Sequence, residues 1–183
     1  IELVNKYIPD MKKYVSGTGS PMYYAARIAK EKYPDAKIVF VGPCVAKRKE
    51  AQRDEAVDFV MTFEEVSSIF DAFEVNLEIV QPYAMEFSSV REAHGFAQAG
   101  GVMGAVKAFL KMEADKINAI QVSDLNKKNI GTLRAYAKSG KAPGQFIEVM
   151  ACEGGCITGP STHSGSNGKR QLVQELAKQE KTY

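Results

Sequence analysis

The sequence predicts an α/β fold of two lobes, with mainly parallel β-sheets flanked by helices, and three observations carry that expectation. Short β-rich runs alternate with helical patterns along the chain, and the runs are near-continuously apolar, as in strands covered on both faces. Both cysteine-bearing segments fall just past the end of such a run. Ligands on open parallel sheets bind outside the carboxyl ends of the strands, so the candidate site lies there, in a cleft between the lobes. A chain of 183 residues with 45% apolar content is long enough to bury a core as one domain or as two small lobes.

Ile1, Val4, Ile8 and Met11 stand at helical spacing and predict a first helix. Because Ile1 is not an initiator methionine, residues upstream of it are expected. Ser20-Pro21 opens a second helix, serine as N-cap and proline at the first helical position, with Met22, Ala25, Ala26, Ile28 and Ala29 giving an apolar stripe as far as Lys32. Lys37-Ile38-Val39-Phe40-Val41 reads as a buried strand stopped by Gly42-Pro43, and Val57 to Met61 as a second. Thr62-Phe63-Glu64-Glu65 has the form of a capping box and starts a helix to Phe73.

From Gln81 to Ser89 the pattern is irregular, and the boundary is placed there: residues 1–80 form a first lobe and 81–183 a second. Gly100-Gly101-Val102-Met103-Gly104 marks the start of a helix running to Met112, or a close approach to a ligand, since each glycine inside a helix costs roughly 1 kcal/mol against alanine. Asn118 to Val122 and Phe146 to Ala151 are strand candidates, with a helix from Ile130 to Lys138 and a turn from Ser139 to Gly144 between them. Gly159 to Gly168, rich in Ser, Gly and Thr, reads as a mobile loop, and Lys169 to Lys181 as a polar helix with Leu172, Val173 and Leu176 on one side.

A net charge of +2 is too small to imply a nucleic-acid partner. No apolar stretch approaches the roughly 18 residues of a membrane span, and no basic region leads into an apolar one at the start. A cytoplasmic protein is expected. Three cysteines cannot all be paired, which argues against a disulfide framework and leaves a metal site or buried thiols. There is no Gly-x-Ser-x-Gly elbow, and the glycines at 100–104 lack the dinucleotide spacing.

Cys152-Glu153-Gly154-Gly155-Cys156 follows directly on Phe146 to Ala151 and holds the strongest chemical signal. Thiolates suit iron–sulfur clusters or zinc, and the glycines allow backbone to fold closely around an inorganic core. Gly42-Pro43-Cys44-Val45-Ala46-Lys47 places a third thiol after a turn, where one helical turn would set Lys47 on the same face and favour a thiolate or bound anion. A buried cysteine before a solvated basic helix reads equally well there. A cubane cluster takes four thiolates and three are present. Zinc could add His94 or His163, though neither stands in a ligand spacing.

Together these segments resemble the H-cluster domain of [FeFe]-hydrogenases, from near Ile1 to about Pro160. Pro43-Cys44-Val45-Ala46-Lys47 through Glu50 is similar to the family's Met-Pro-Cys-x-x-Lys-x-x-Glu motif, and Glu148 to Cys156 to the motif in which Ala-Cys-Pro-Gly-Gly-Cys is usual. Ser20-Pro21 ahead of them and Gly100-Gly101-Val102 between them keep the family's order. The resemblance implies that Cys44, Cys152 and Cys156 ligate a [4Fe–4S] cluster, with Cys156 bridging to a diiron subsite that carries CO, cyanide and a dithiolate. It implies that Lys47 donates to a cyanide, Met150 packs beside the diiron centre, and Ser20, Pro21 and Gly101 line the pocket. Ser16 and Glu50 stand where the family has a proton-relay serine and a motif glutamate.

The implied activity is reversible H2 oxidation and proton reduction, with a ferredoxin-like carrier or fused iron–sulfur domains as electron partner. Gly42, Met22 and Glu153 replace the family's methionine, glutamine and proline, and Thr158-Gly159-Pro160-Ser161 replaces its glycine-rich continuation. The motif Thr-Ser-Cys-Cys-Pro would precede Ile1. Such changes resemble the divergent, sensory branch, so the alternative to catalysis is a hydrogen or redox sensor or an iron–sulfur scaffold. The fragment alone is expected to be inactive.

Overall fold

Proline decides the first departure from the sequence reading. In the computed structural model, which describes residues 1–81, 83, 89–163, 165, 167–180 and 182–183, the expected first helix is two pieces, α1 (Glu2–Tyr7) and a 3-10 turn (Pro9–Tyr14). Pro9 brings no N–H and drives the residue before it out of helical conformation, and Ile8 accordingly sits at φ −139°, ψ 58°. Both Ile8 and Met11 are nonetheless buried.

Helix α2 (Pro21–Lys32) begins as its sequence predicts, the Ser20 hydroxyl accepting the N–H of Tyr23 at 3.3 Å. Strand β1 (Val39–Gly42), α3 (Ala46–Ala51) and β2 (Phe59–Thr62) follow, then α4 (Phe63–Ala72). The Thr62/Glu65 capping box is present in both directions, at 3.2 and 2.8 Å. Beyond it come α5 (Arg91–His94), a 3-10 turn (Gly95–Ala97), α6 (Gly101–Leu110), a 3-10 turn (Lys111–Lys116) and β3 (Ala119–Ser123). Helix α7 (Lys127–Ser139), β4 (Phe146–Met150), a 3-10 turn (Cys156–Thr158) and α8 (Asn167–Ala177) complete the order. Among the described residues the strands form two parallel ladders, β1 with β2 and β3 with β4, the α/β class the sequence predicts.

The chain divides into two compact units, residues 18–87 with 159–165, and residues 1–17, 88–158 and 166–183. Most of the stretch from Gln81 to Ser89, the expected boundary, lies outside the described residues. The N-terminal seventeen residues differ: they belong with the second half of the chain, not with the first lobe. Of the stretch expected to be a mobile loop, Gly159 and Ser161 are buried and α8 already begins at Asn167.

In the unit built on residues 18–87, the inner face of the β1–β2 ladder presents Phe40 and Val60 to Met22 and Ala26 of α2, with Val57 buried between. Asp58 pins the strand starts together, accepting the Ile38 N–H at 2.8 Å and facing Lys37 and Lys30 at 3.0 and 3.5 Å. The Ile38 bond and the Lys37 bond hold its pKa at about 2. Burial alone would raise the pKa of Asp54, but Arg27, at 2.9 and 3.0 Å, and the Ala56 N–H hold it below the ordinary carboxylate range. On the outer face Val39, Val41 and Phe59 are 46%, 40% and 59% exposed.

In the other unit, Ile8, Met11, Val122, Leu133 and Ala137 form the core, so α7 and the N-terminal 3-10 turn meet over the β3–β4 ladder. Leu133 is 1% exposed. The ladder runs in register from Ala119 opposite Phe146 to Ser123 opposite Met150, and the Leu125 N–H continues it to the carbonyl of Ala151 at 3.1 Å. That pairing delivers the chain directly into Cys152.

Candidate functional site

Gly42 and Pro43 end β1, and the next residue is Cys44, half-buried, its sulfur accepting the Ala46 N–H at 3.4 Å. The turn then tightens, the Lys47 N–H reaching the Cys44 carbonyl at 3.3 Å, and α3 carries Lys47 and Glu50 on one side. Glu50 joins two other sequence-predicted residues: one carboxylate oxygen takes the Lys47 ammonium at 2.7 Å and the other accepts the Ser20 hydroxyl. The helix start at Ser20-Pro21 and the Pro-Cys-x-x-Lys turn are therefore tied by a single side chain. The Lys47 ammonium, expected as a donor to a ligand, is thus ion-paired with Glu50.

In the other unit the Cys152–Cys156 loop is held from three directions. The Ser123 hydroxyl bridges its base, donating to the Cys152 carbonyl at 3.4 Å and accepting the Gly154 N–H at 3.3 Å. From below, the Thr158 hydroxyl lies on the carbonyls of Glu153 and Gly155, the latter at 2.9 Å. From the side, the Ala99 N–H bonds the Gly154 carbonyl at 2.9 Å. Gly154 and Gly155 sit at φ 80° and 102°, and a Cβ on Gly155 would fall 2.4 Å from the Ala99 nitrogen. Thr158 is thus part of the clasp.

Met150 is the last residue of β4 and half-buried. Gly101 opens α6, but the approach that demands a glycine is to backbone, since a Cβ there would lie 1.9 Å from the Gly95 carbonyl oxygen. It also lines a groove of about 430 Å³ with Gly104, Ala105 and Leu176. Ser16 lies in the extended segment after the first 3-10 turn, exposed, and in a different unit from Ser20 and Glu50. Pro21 is the exposed first residue of α2.

Two residues that sequence reasoning passed over organise the surroundings of the cysteine loop: Ser123, which bridges it, and Glu148, which is 5% exposed and accepts the N–H groups of Gly100 and Met103 at 2.6 and 2.7 Å. An acid inside the apolar run Phe146 to Met150 was the available signal. Beside the loop, Gln121, Ser123, Asp124, Asn126, Glu153 and Lys169 line an open polar recess of about 540 Å³ at the carboxyl ends of β3 and β4.

None of the three cysteines is in a disulfide. Thiols on either side of a glycine turn, whose Cβ-free backbone is fixed by three neighbours, fit the donor set and close approach of an iron–sulfur cluster. Among the described residues no three His, Cys, Asp or Glu side chains gather as a metal site. No helix is long and apolar enough to cross a membrane among those residues.

Such a chain is of the α/β class, with cysteine-bearing turns at the carboxyl ends of its parallel strand pairs. Residues 1–160 match the family model for the iron only hydrogenase large subunit, C-terminal domain, and the chain belongs to that family. It is similar to the cytosolic Fe-S cluster assembly factor narfl of Danio rerio, at 27% identity over 91% of this chain and 54% of the relative. To iron hydrogenase 1 of Clostridium pasteurianum it is 27% identical over 87% of this chain and 35% of the relative. The chain therefore spans about half or less of the length of these curated relatives. An apo [FeFe]-hydrogenase variant from Chlamydomonas reinhardtii shares its fold, with a TM-score of 0.69 at 20% identity over 98% of this chain and 64% of the other.

Proposed function

We propose that this chain is an iron–sulfur-binding part of a hydrogenase-type domain, in which Cys44, Cys152 and Cys156 are thiolate ligands of a [4Fe–4S] cluster and a further ligand completes the set. The observation that carries the reading is the Cys152–Cys156 loop, whose two thiols flank a glycine turn fixed by Ser123, Ala99 and Thr158. When bound, the cluster and an attached diiron subsite with CO, cyanide and dithiolate ligands would supply one-electron transfer and H2 chemistry. The protein's own part is different. Ser123 and the 97–100 segment orient the loop, while Glu50 orients Lys47 and places its remaining N–H groups for an anionic ligand.

In the parent protein the reading is reversible H2 oxidation with a ferredoxin-like carrier or a fused iron–sulfur domain as partner, with cytoplasmic location and without nucleic acid or membrane. Ser16 serves there as a relay for protons and Met150 as a wall of the diiron pocket. A second reading is favoured by Gly42, Met22 and Glu153 in place of the family's residues and by the relatives named as Fe-S cluster assembly factors: a non-catalytic scaffold or sensor of the same fold.

Anaerobic reconstitution of the full-length parent protein with iron and sulfide tests the first statement. Bound iron and sulfide that fall on substituting Cys44, Cys152 or Cys156 by serine support it, and a chain that retains neither overturns it. After maturation, infrared bands of CO and cyanide identify the hydrogenase reading, and a cluster without them identifies the scaffold.

A further inference from the structure

The buried carboxylate of Glu148 belongs to the strand that delivers the cysteines, yet both its hydrogen bonds leave that strand. One oxygen takes the N–H of Gly100, the left-handed N-cap of α6, and the other takes the N–H of Met103 in the helix's first turn. Glycine has no side chain with which to cap, so the cap is supplied from β4, and the negative charge lies at the positive end of a ten-residue helix. A carboxylate at 5% exposure is tolerable only with such partners.

The geometry closes a ring. Gly100 is fixed by Glu148; Ala99, next to it, donates to Gly154; and Gly155 lies so near Gln98 and Ala99 that a Cβ would come within 2.4 to 2.7 Å of their backbone and that of Ala97. Residues 98–100 are thus a bracket, held at one end by an acid four residues ahead of Cys152 and pressed at the other against the glycine pair between the two thiols. Strand, turn and bracket share one covalent path and one set of hydrogen bonds.

We infer that Glu148 is a positioning residue for the Cys152/Cys156 pair: through Gly100 and Ala99 it fixes the backbone between the two thiols, and so sets how tightly they hold iron. This rests on the cluster-binding reading for its last clause alone. A simple helix cap would stabilise α6 without reaching the cysteines, and the two roles part experimentally.

The test uses the full chain with Glu148→Gln, which keeps one acceptor but turns an NH2 group toward a backbone N–H, and Glu148→Asp, which keeps the charge but is one methylene short. Leu133→Val, in the core, serves as a control for general destabilisation. In the apo protein the measurements are amide hydrogen exchange at Ala99 and Gly155 and the alkylation rates of Cys152 and Cys156; in the reconstituted protein, the rate at which a chelator removes iron. Glu148→Gln is expected to speed exchange at Ala99 about tenfold or more, as for loss of a charge-assisted hydrogen bond, and to speed alkylation of both thiols, with Glu148→Asp between it and wild type. The control at equal loss of melting temperature leaves these rates near wild type. Exchange and alkylation unchanged in Glu148→Gln would overturn the proposal and leave Glu148 a cap only. Should Glu148→Gln fail to fold, Glu148→Asp carries the same decision. If wild type takes up no iron, the cluster reading fails while the apo measurements still decide the role of Glu148.

Discussion

Replacing Gly155 by alanine isolates the backbone requirement of the cysteine loop. At φ 102° an L-residue pays about 1–2 kcal/mol for a left-handed conformation. Its Cβ would also meet the Ala99 nitrogen at 2.4 Å, the Gln98 carbonyl carbon at 2.6 Å and the Ala97 carbonyl oxygen at 2.7 Å, all main-chain atoms with no rotamer by which to withdraw. Relieving that overlap costs about 1–3 kcal/mol and breaks the Ala99–Gly154 bond, worth about 1 kcal/mol more. The sum is roughly 3–6 kcal/mol, about two to four decades in the closed-to-open ratio of the loop. Gly154 provides the internal comparison: its φ is 80°, but its Cβ would meet only the Thr158 side chain at 3.3 Å, so alanine there costs about 1–2 kcal/mol. Urea unfolding of both apo variants, with alkylation of Cys152 and Cys156 under native conditions, measures the difference. A Gly155→Ala protein as stable as Gly154→Ala, with thiols no more reactive, would refute the argument that the 97–99 backbone shapes the loop.

Leu133→Ala should cost about 3 kcal/mol, because a side chain 1% exposed leaves a cavity between Ile8, Met11, Val122 and Ala137; a urea midpoint shift worth under 1 kcal/mol would contradict the core assignment. Gly131→Ala should raise stability by about 0.5–1 kcal/mol in the same assay, since the position is an exposed interior residue of α7 with no atom within 4 Å of the new Cβ. For Asp58, whose pKa falls from 3.8 to about 2 on folding, the sign is that of a depressed carboxylate. Its contribution is complete above the unfolded value and disappears as pH drops from about 4 toward 2. Asp58→Asn should therefore lower stability at pH 6 and flatten the loss between pH 4 and 2, seen in melts across that range; equal slopes for variant and wild type would count against it.

Local chemistry was legible from residues alone. The Ser20 cap, the Thr62/Glu65 box and the glycine start of α6 each need only a few neighbouring residues, and each appears where the pattern puts it. Pro9 was equally visible, but the apolar spacing through Ile8 and Met11 runs on across it because both residues face the same core on either side of the break. What segments meet at a distance was not legible. That Ile8 and Met11 pack with Val122 and Leu133 returns the N-terminal residues to the second unit, and no periodicity within either segment announces it. Ile38 reads as strand yet β1 starts at Val39, because the Ile38 N–H goes to the Asp58 carboxylate instead of a ladder partner. Glu148 looked like a motif letter, since its partners lie 45 and 48 residues away.

The uncovered side of the β1–β2 ladder bears on how the polypeptide behaves in a test tube. The exposed row of Val39, Val41 and Phe59 on this two-stranded ladder offers apolar surface against which another copy can stack. Produced by itself at high concentration, the polypeptide is prone to clump through that surface. A lysine in place of Val39 or Val41 is the natural first remedy for anyone preparing it for spectroscopy.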